Sequence, residues 1–138
     1  AAPRWPRRDR GVCVARVLAV DDDHVIRGLL EVNLEMEGHE VVSAVDGSDA
    51  LAKVAECHPD LILLDVMMPN LNGWEVAERL KRDEATRHIP IVFLSARAMD
   101  ADVRRGAELG VESYVTKPFD PIDLMELVNR LLSERGLA

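Results

Sequence analysis

The chain has 138 residues, 48% hydrophobic and 30% charged, which fits one domain with a full core and leaves little room for a second. Its formal charge of -8 is unevenly spread, because the first ten residues, AAPRWPRRDR, hold four Arg and one Asp and so leave about -11 on the remainder. That acidity argues against direct nucleic-acid binding by the body, and no apolar run approaches the ~18 residues that span a bilayer.

The basic start is not expected to act as a targeting segment, because its apolar stretch is interrupted by Arg16, ends in Asp21 and lacks a small-residue cleavage site. Residues 1–14 are expected to form a disordered basic tail on a cytoplasmic protein, with a single domain over 15–138. Cys13 and Cys57 make no metal or redox spacing, so both are expected as reduced thiols.

From residue 16 onward, short apolar runs alternate with helical patterns. RVLAV (16–20) is followed by a helix over 25–36 with Val25, Ile26, Leu29 and Leu30 on one face. EVVSAV (40–45) is followed by a helix carrying Ala50, Leu51, Val54 and Ala55. LILLDV (61–66) leads to a helix after Gly73 with Trp74, Val76, Ala77 and Leu80 available for packing, Trp74 partly exposed at its start. IVFLS (91–95) precedes a helix over about 100–109 that offers Val103, Ala107 and Leu109 and should be the least firmly held. SYVTK (113–117) precedes a last helix from about Pro121, a favourable first-turn proline, through Leu124, Leu127, Val128 and Leu131. Five Val/Ile/Leu-rich strands separated by helices imply a parallel sheet covered on both faces.

In such a sheet, chemistry collects beyond the carboxyl ends of the strands. Strand one ends in Asp21, Asp22 and Asp23, strand three in Asp65, strand four in Ser95 and strand five in Lys117. Each is an ordinary loop feature if taken alone; supply from four separate strand ends is what gives the set weight. A buried run such as LILL does not end on a carboxylate without a cation to meet it. Two unit charges 4 Å apart repel by about 1 kcal/mol in water and about 4 kcal/mol near a protein surface. Clustered carboxylates with room for waters and a phosphate suit Mg²⁺ rather than zinc. With a lysine, a hydroxyl donor and a carboxylate nucleophile, these are the parts for moving a phosphoryl group onto an Asp. His24, His39, His58 and His88 show no ligand spacing and are expected at the surface or as caps.

The segments VLAVDDDHVIR, DLILLDVMMPNLNGWE, IVFLSARA and SYVTKPF resemble the receiver domain of two-component response regulators, over about residues 15–133. The resemblance implies a flavodoxin-like, doubly wound α/β fold, with a five-stranded parallel sheet in the order 2-1-3-4-5 flanked by five helices. It implies Asp65 as phospho-acceptor, and Mg²⁺ held by Asp21, Asp22, Asp65 and the backbone carbonyl of Met67. Ser95, the backbone of Ala96 and Lys117 would bind the phosphoryl group, Ser95 and Tyr114 would act as the switch, and the Lys117–Pro118 peptide would be cis. The donor would be a sensor histidine kinase or a histidine phosphotransfer protein, and the output an unidentified protein or domain that reads the face of helix four, strand five and helix five. Two positions depart from regulators that dimerise through a charged ladder. Leu127 stands where an Arg is usual, and Ser113 where an acid is usual.

VLAVDDDHVI also fits the D-x-D-x-[TV] pattern of haloacid-dehalogenase-type phosphatases, with Asp21 as nucleophile and Asp23 as acid/base. Those enzymes need a further acidic motif after the lysine, where this chain has a proline turn and its last helix.

In the receiver family, the positions of Met67 and Arg97 tune self-hydrolysis. A thioether at 67 cannot orient a water, so Met67→Asn is expected to shorten the lifetime of an aspartyl phosphate. The decay of the radiolabelled phosphoprotein measures this, and equal decay rates would sink the idea.

Overall fold

The computed structural model describes residues 15–69, 71–97 and 99–136. The expected tail at 1–14, with Cys13, lies outside them. The elements run β1 (Arg16–Val20), α1 (His24–Met36), β2 (Glu40–Ala44), α2 (Gly47–Cys57), β3 (Leu61–Asp65), α3 (Gly73–Arg82), β4 (Ile91–Ser95), α4 (Asp100–Leu109), β5 (Ser113–Thr116) and α5 (Pro121–Ser133). The five strands form one parallel sheet in the order β2-β1-β3-β4-β5, as expected. The expected strands EVVSAV, LILLDV and SYVTK each run one residue past the observed end, because Val45, Val66 and Lys117 lie beyond the last paired residue.

The continuous apolar runs make sense once the two cores are seen. Leu18, Val20, Ile62, Leu64 and Phe93 face one side of the sheet and meet Val54 of α2 and Trp74, Val76 and Leu80 of α3. Their alternates Val17, Ala19, Leu61, Leu63, Val92 and Leu94 face the other and meet Leu30 and Leu34 of α1 and Leu124, Val128 and Leu132 of α5. With both faces covered, period-two alternation carries no polar residues, and each such side chain contributes about 1.5–3 kcal/mol.

Four helices begin on side-chain caps just beyond the strands. Asp23 accepts from Val25 N at 2.9 Å, Asp46 from Asp49 N at 2.8 Å, Asn72 from Glu75 N at 3.0 Å and Asp120 from Ile122 N at 2.8 Å. The caps fix where each helix leaves the edge of the sheet at which the polar residues gather.

Several packing expectations are corrected. In α1 the buried face is Leu30 and Leu34 with Ile26 beside them, while Val25 (64% exposed) and Leu29 (40%) point outward. Two apolar stripes at i,i+4 spacing lie side by side on this helix, and periodicity alone does not choose between them. Ala55 is exposed, and Cys57 takes its place in the core as a free, buried thiol whose pKa burial pushes up. Trp74 is buried rather than partly exposed, stacked edge-on against Phe93 at 4.9 Å. Val103 (43% exposed) and Ala107 face away from the core, and α4 instead buries Asp102 and Gly106. His39 is buried, not superficial, with Nε2 at 2.7 Å from Asn129 Oδ1 of α5.

Gly73 is where the fold is tightest around the future site. A Cβ there would stand 2.5 Å from the carbonyl oxygen of Asp65 and 2.7 Å from Val66 Cα, both backbone atoms. Gly73→Ala is therefore expected to destabilise the domain by about 2–3 kcal/mol. Gly28, inside α1 with nothing within 4 Å of its added Cβ, should gain about 0.5–1 kcal/mol as Ala. Urea unfolding midpoints of the two variants check both signs.

Candidate functional site

The carboxyl ends of β1 and β3 are neighbours in the sheet, so Asp21 and Asp65 are brought together by the β1–β3 pairing itself. Asp21, Asp22 and Asp65 each offer a carboxylate oxygen, and these oxygens all lie within 4.8 Å of one another. Asp21 and Asp65 are buried, whereas Asp22 is exposed. Lys117, one residue past β5, reaches across the end of β4 and places Nζ 2.7 Å from Asp21 Oδ2 and 3.4 Å from Asp65 Oδ1.

Every atom of Asp21 that can bond is held. Its Oδ1 accepts from Asp23 N at 2.9 Å, its backbone N donates to the Ala44 carbonyl at 3.2 Å, and its own carbonyl accepts from Arg27 Nη1 at 2.7 Å. Asp65 Oδ1 also accepts from Met67 N at 3.2 Å, while the Met67 side chain is exposed. Ser95 is fully buried; its Oγ accepts from Arg97 N at 3.0 Å, and its carbonyl accepts from Lys117 N at 2.8 Å. Ala96 is exposed between them. The Lys117–Pro118 peptide is cis. Tyr114 is half-buried beside Trp74 and Phe93, and its hydroxyl donates to the Arg97 carbonyl.

The electrostatics follow from burial and neighbours. Burial first, and then the negative charge of Asp21, push the Asp65 carboxyl up to about 7; Lys117 and the Met67 N–H offset this only in part. Burial alone would lower the pKa of Lys117, but its hydrogen bond to Asp21 and the charges of Asp65 and Asp21 outweigh this and raise it. One ammonium therefore serves two buried carboxylates, and the site retains net negative charge. Hard oxygen donors around uncompensated charge fit Mg²⁺.

Asp23 does not join them. It caps α1 and is exposed, so the pair that converges with Asp65 is Asp21 with Asp22, not Asp21 with Asp23. That spacing is the one the phosphatase pattern does not use.

A sequence profile for the response regulator receiver domain matches residues 17–129. The chain belongs to the response regulator receiver family. The receiver is 43% identical over 117 residues to the DNA-binding dual master transcriptional regulator RpaA of Synechocystis, covering 85% of this chain and 48% of that one. It is 42% identical over 120 residues to the phosphate regulon transcriptional regulatory protein PhoB of Pseudomonas aeruginosa, covering 87% and 52%. It thus spans about half the length of these curated relatives. Among solved structures, the chemotaxis protein CheY4 of Vibrio cholerae superposes with a TM-score of 0.82 at 34% identity, covering 86% of this chain and 99% of that one. Receiver domains are the signalling phospho-acceptors of two-component systems, and they bind Mg²⁺ at an acidic site. No helix among the described residues is long and apolar enough to cross a membrane.

Arg27 and Asp102, both near the receiver site, could not be singled out from the sequence. Arg27 has a faint signal, since a cation close to the start of a helix opposes the macrodipole and needs another reason to be there. The pairing of Arg97 with Asp102 across the β4–α4 connection has none, because nothing in the sequence sets the path of that loop.

The raised Asp65 pKa makes stability depend on pH. Between about 4 and 7 the native carboxyl holds a proton that the unfolded one has lost, so its contribution is full at low pH and falls away as pH rises through 7. Without Mg²⁺, Asp65→Asn is expected to be more stable than wild type at pH 8 by on the order of 1–2 kcal/mol, with the gain shrinking as pH falls toward 4. Denaturant midpoints across that range test it, and a gain independent of pH would refute the assignment.

Proposed function

We propose that Asp65 accepts a phosphoryl group from a phosphohistidine on a sensor histidine kinase or histidine phosphotransfer protein, and that the phosphorylated domain switches the face of α4, β5 and α5 toward an output partner. The observation that carries this is the convergence of Asp21, Asp22 and Asp65 within 4.8 Å, with Lys117 bonded to Asp21 and Asp65. A nucleophile held at the end of a central strand, beside a fixed cation, has its geometry set before the donor arrives.

In the transfer, an Asp65 oxygen forms a bond to phosphorus as the bond from phosphorus to the donor imidazole nitrogen breaks. Asp21, Asp22, Asp65 and the Met67 carbonyl would hold Mg²⁺, which supplies charge neutralisation for the carboxylates and the incoming phosphoryl oxygens. Lys117, already at the acceptor, is placed to follow the new charge. The Ser95 hydroxyl and the Ala96 N–H complete the set of donors, drawing the β4–α4 loop inward and moving with it Tyr114, whose hydroxyl bonds the Arg97 carbonyl of that loop. Hydrolysis by the domain itself returns Asp65 to the free carboxylate. This is a two-state equilibrium that phosphorylation biases, with the active arrangement sampled to a small extent beforehand. Its acidic surface argues that any nucleic acid in the pathway is contacted by an output element and not by this domain.

Intact mass after incubation with acetyl phosphate and Mg²⁺ tests the assignment. Wild type should gain a single phosphoryl adduct, chelation should prevent it, and Asp65→Asn should show none. An adduct that survives Asp65→Asn but is lost in Asp21→Asn would support the phosphatase chemistry instead.

A further inference from the structure

The three carboxylates of the site are not held alike. Asp21 is bonded at both of its oxygens, by Asp23 N and by Lys117 Nζ, and Asp65 Oδ1 meets Met67 N and Lys117 Nζ. Asp22 is exposed, and among the described residues its carboxylate has neither a hydrogen bond nor an ion pair. It nevertheless offers an oxygen within 4.8 Å of those of Asp21 and Asp65, against the repulsion between like charges. No side-chain contact keeps it there, so its backbone must.

That backbone is fixed on both sides. After Asp22, the Asp23 N–H donates to Asp21 Oδ1 at 2.9 Å, and the Asp23 side chain caps α1 by accepting from Val25 N at 2.9 Å. Before it, the Asp21 N–H donates to the Ala44 carbonyl at 3.2 Å, and the Asp21 carbonyl accepts from Arg27 Nη1 at 2.7 Å. The Asp21 carbonyl and the Asp22 N–H share one rigid peptide plane, so holding that oxygen sets the direction in which Asp22 leaves it.

Arg27 is poorly placed for other tasks. It stands on the first turn of α1, where a cation opposes the helix dipole. It lies three residues before Leu30 and seven before Leu34, on the stripe that faces the core. It is half-buried and pairs with no carboxylate among the described residues, and its guanidinium bonds the neutral Asp21 carbonyl. Leu30 and Leu34 lock α1 against the sheet, so the guanidinium reaches that carbonyl from a fixed base.

We propose that Arg27 is a positioning residue for the metal site: by holding the Asp21 carbonyl it fixes the Asp21–Asp22 peptide and aims the exposed Asp22 carboxylate at the oxygens of Asp21 and Asp65. This rests on the reading of those three acids as the Mg²⁺ site. The sign of the effect is distinctive. A cation beside a cation site repels Mg²⁺, so removing it would tighten binding if charge were all that mattered. Removing a group that aims a ligand does the opposite, because the ligand is then free to swing into water.

The experiment is calorimetric titration of Mg²⁺ into the wild-type chain, Arg27→Met, Arg27→Leu and Asp22→Asn at one pH, with a melting curve of each protein recorded without Mg²⁺. Both Arg27 variants keep an apolar stem on the buried side of α1, and either one suffices if the other folds poorly. Each is expected to bind Mg²⁺ about tenfold more weakly than wild type, at the lower end of the loss that follows removal of a group orienting a metal ligand. Asp22→Asn should lose at least as much. Unchanged or tighter binding, whatever the melting temperature, would overturn the proposal, and so would a loss in the Arg27 variants larger than that of Asp22→Asn. Failure of the wild-type chain to bind Mg²⁺ at all would instead overturn the metal-site reading beneath it.

Discussion

An ammonium shared by two buried carboxylates is the constraint on which the rest of the site depends. Asp21 and Asp65 end adjacent strands, and their separation is set by a parallel ladder that neither side chain can alter. Lys117 satisfies both from beyond β5, across the intervening β4. A guanidinium, with its rigid fork, is poorly suited to a bridge between two oxygens on different strands; a point charge on a flexible stem is well suited to it. The sheet order matters here. With β3 at the centre, β1 on one side and β4 on the other, Asp65 is flanked by acid on one hand and by the Ser95 end of β4 on the other.

The bridge is deliberately incomplete in the electrostatic sense, since one positive charge cannot neutralise Asp21, Asp22 and Asp65 together. The elevated Asp65 pKa reflects its burial first and then the negative charge of Asp21 that Lys117 offsets only in part. A proton and a divalent cation compete for that residual charge, and near neutral pH neither is excluded by the protein alone. The same imbalance leaves carboxylate oxygens that Lys117 alone does not neutralise. A buried carboxyl perturbed in this way is a feature that clusters at functional sites.

The strands were legible in the sequence because burial on both faces removes polar residues from them, so LILLD and IVFLS announce themselves by composition. Their carboxyl-end residues were legible for the same reason, since Asp65 and Ser95 stand out against an apolar background. Helix faces were harder to read. In α1, Val25 and Leu29 are as apolar as Leu30 and Leu34, and only tertiary packing decides which stripe is covered. In α4 the residues that pack are Asp102, Arg105 and Gly106, none of which a hydrophobic pattern selects. His39 and Arg27 were missed because each acts by one hydrogen bond to a partner on another element or a distant turn, and such geometry leaves no periodic trace.

The central position of β3 bears on how the domain breathes. The sheet's two edges are β2, which carries Glu40 and Ser43, and β5, a four-residue strand with Ser113 and Thr116. Short, polar edges discourage pairing with another chain, and they leave β1, β3 and β4 hydrogen-bonded on both sides beneath two apolar layers. Backbone groups in those three strands are enclosed by pairing and by both apolar layers, while the connections that carry Met67 and Ala96 are exposed and belong to the low end of local stability. Asp65 thus ends a strand in the most protected part of the sheet, beside connections that are far less enclosed.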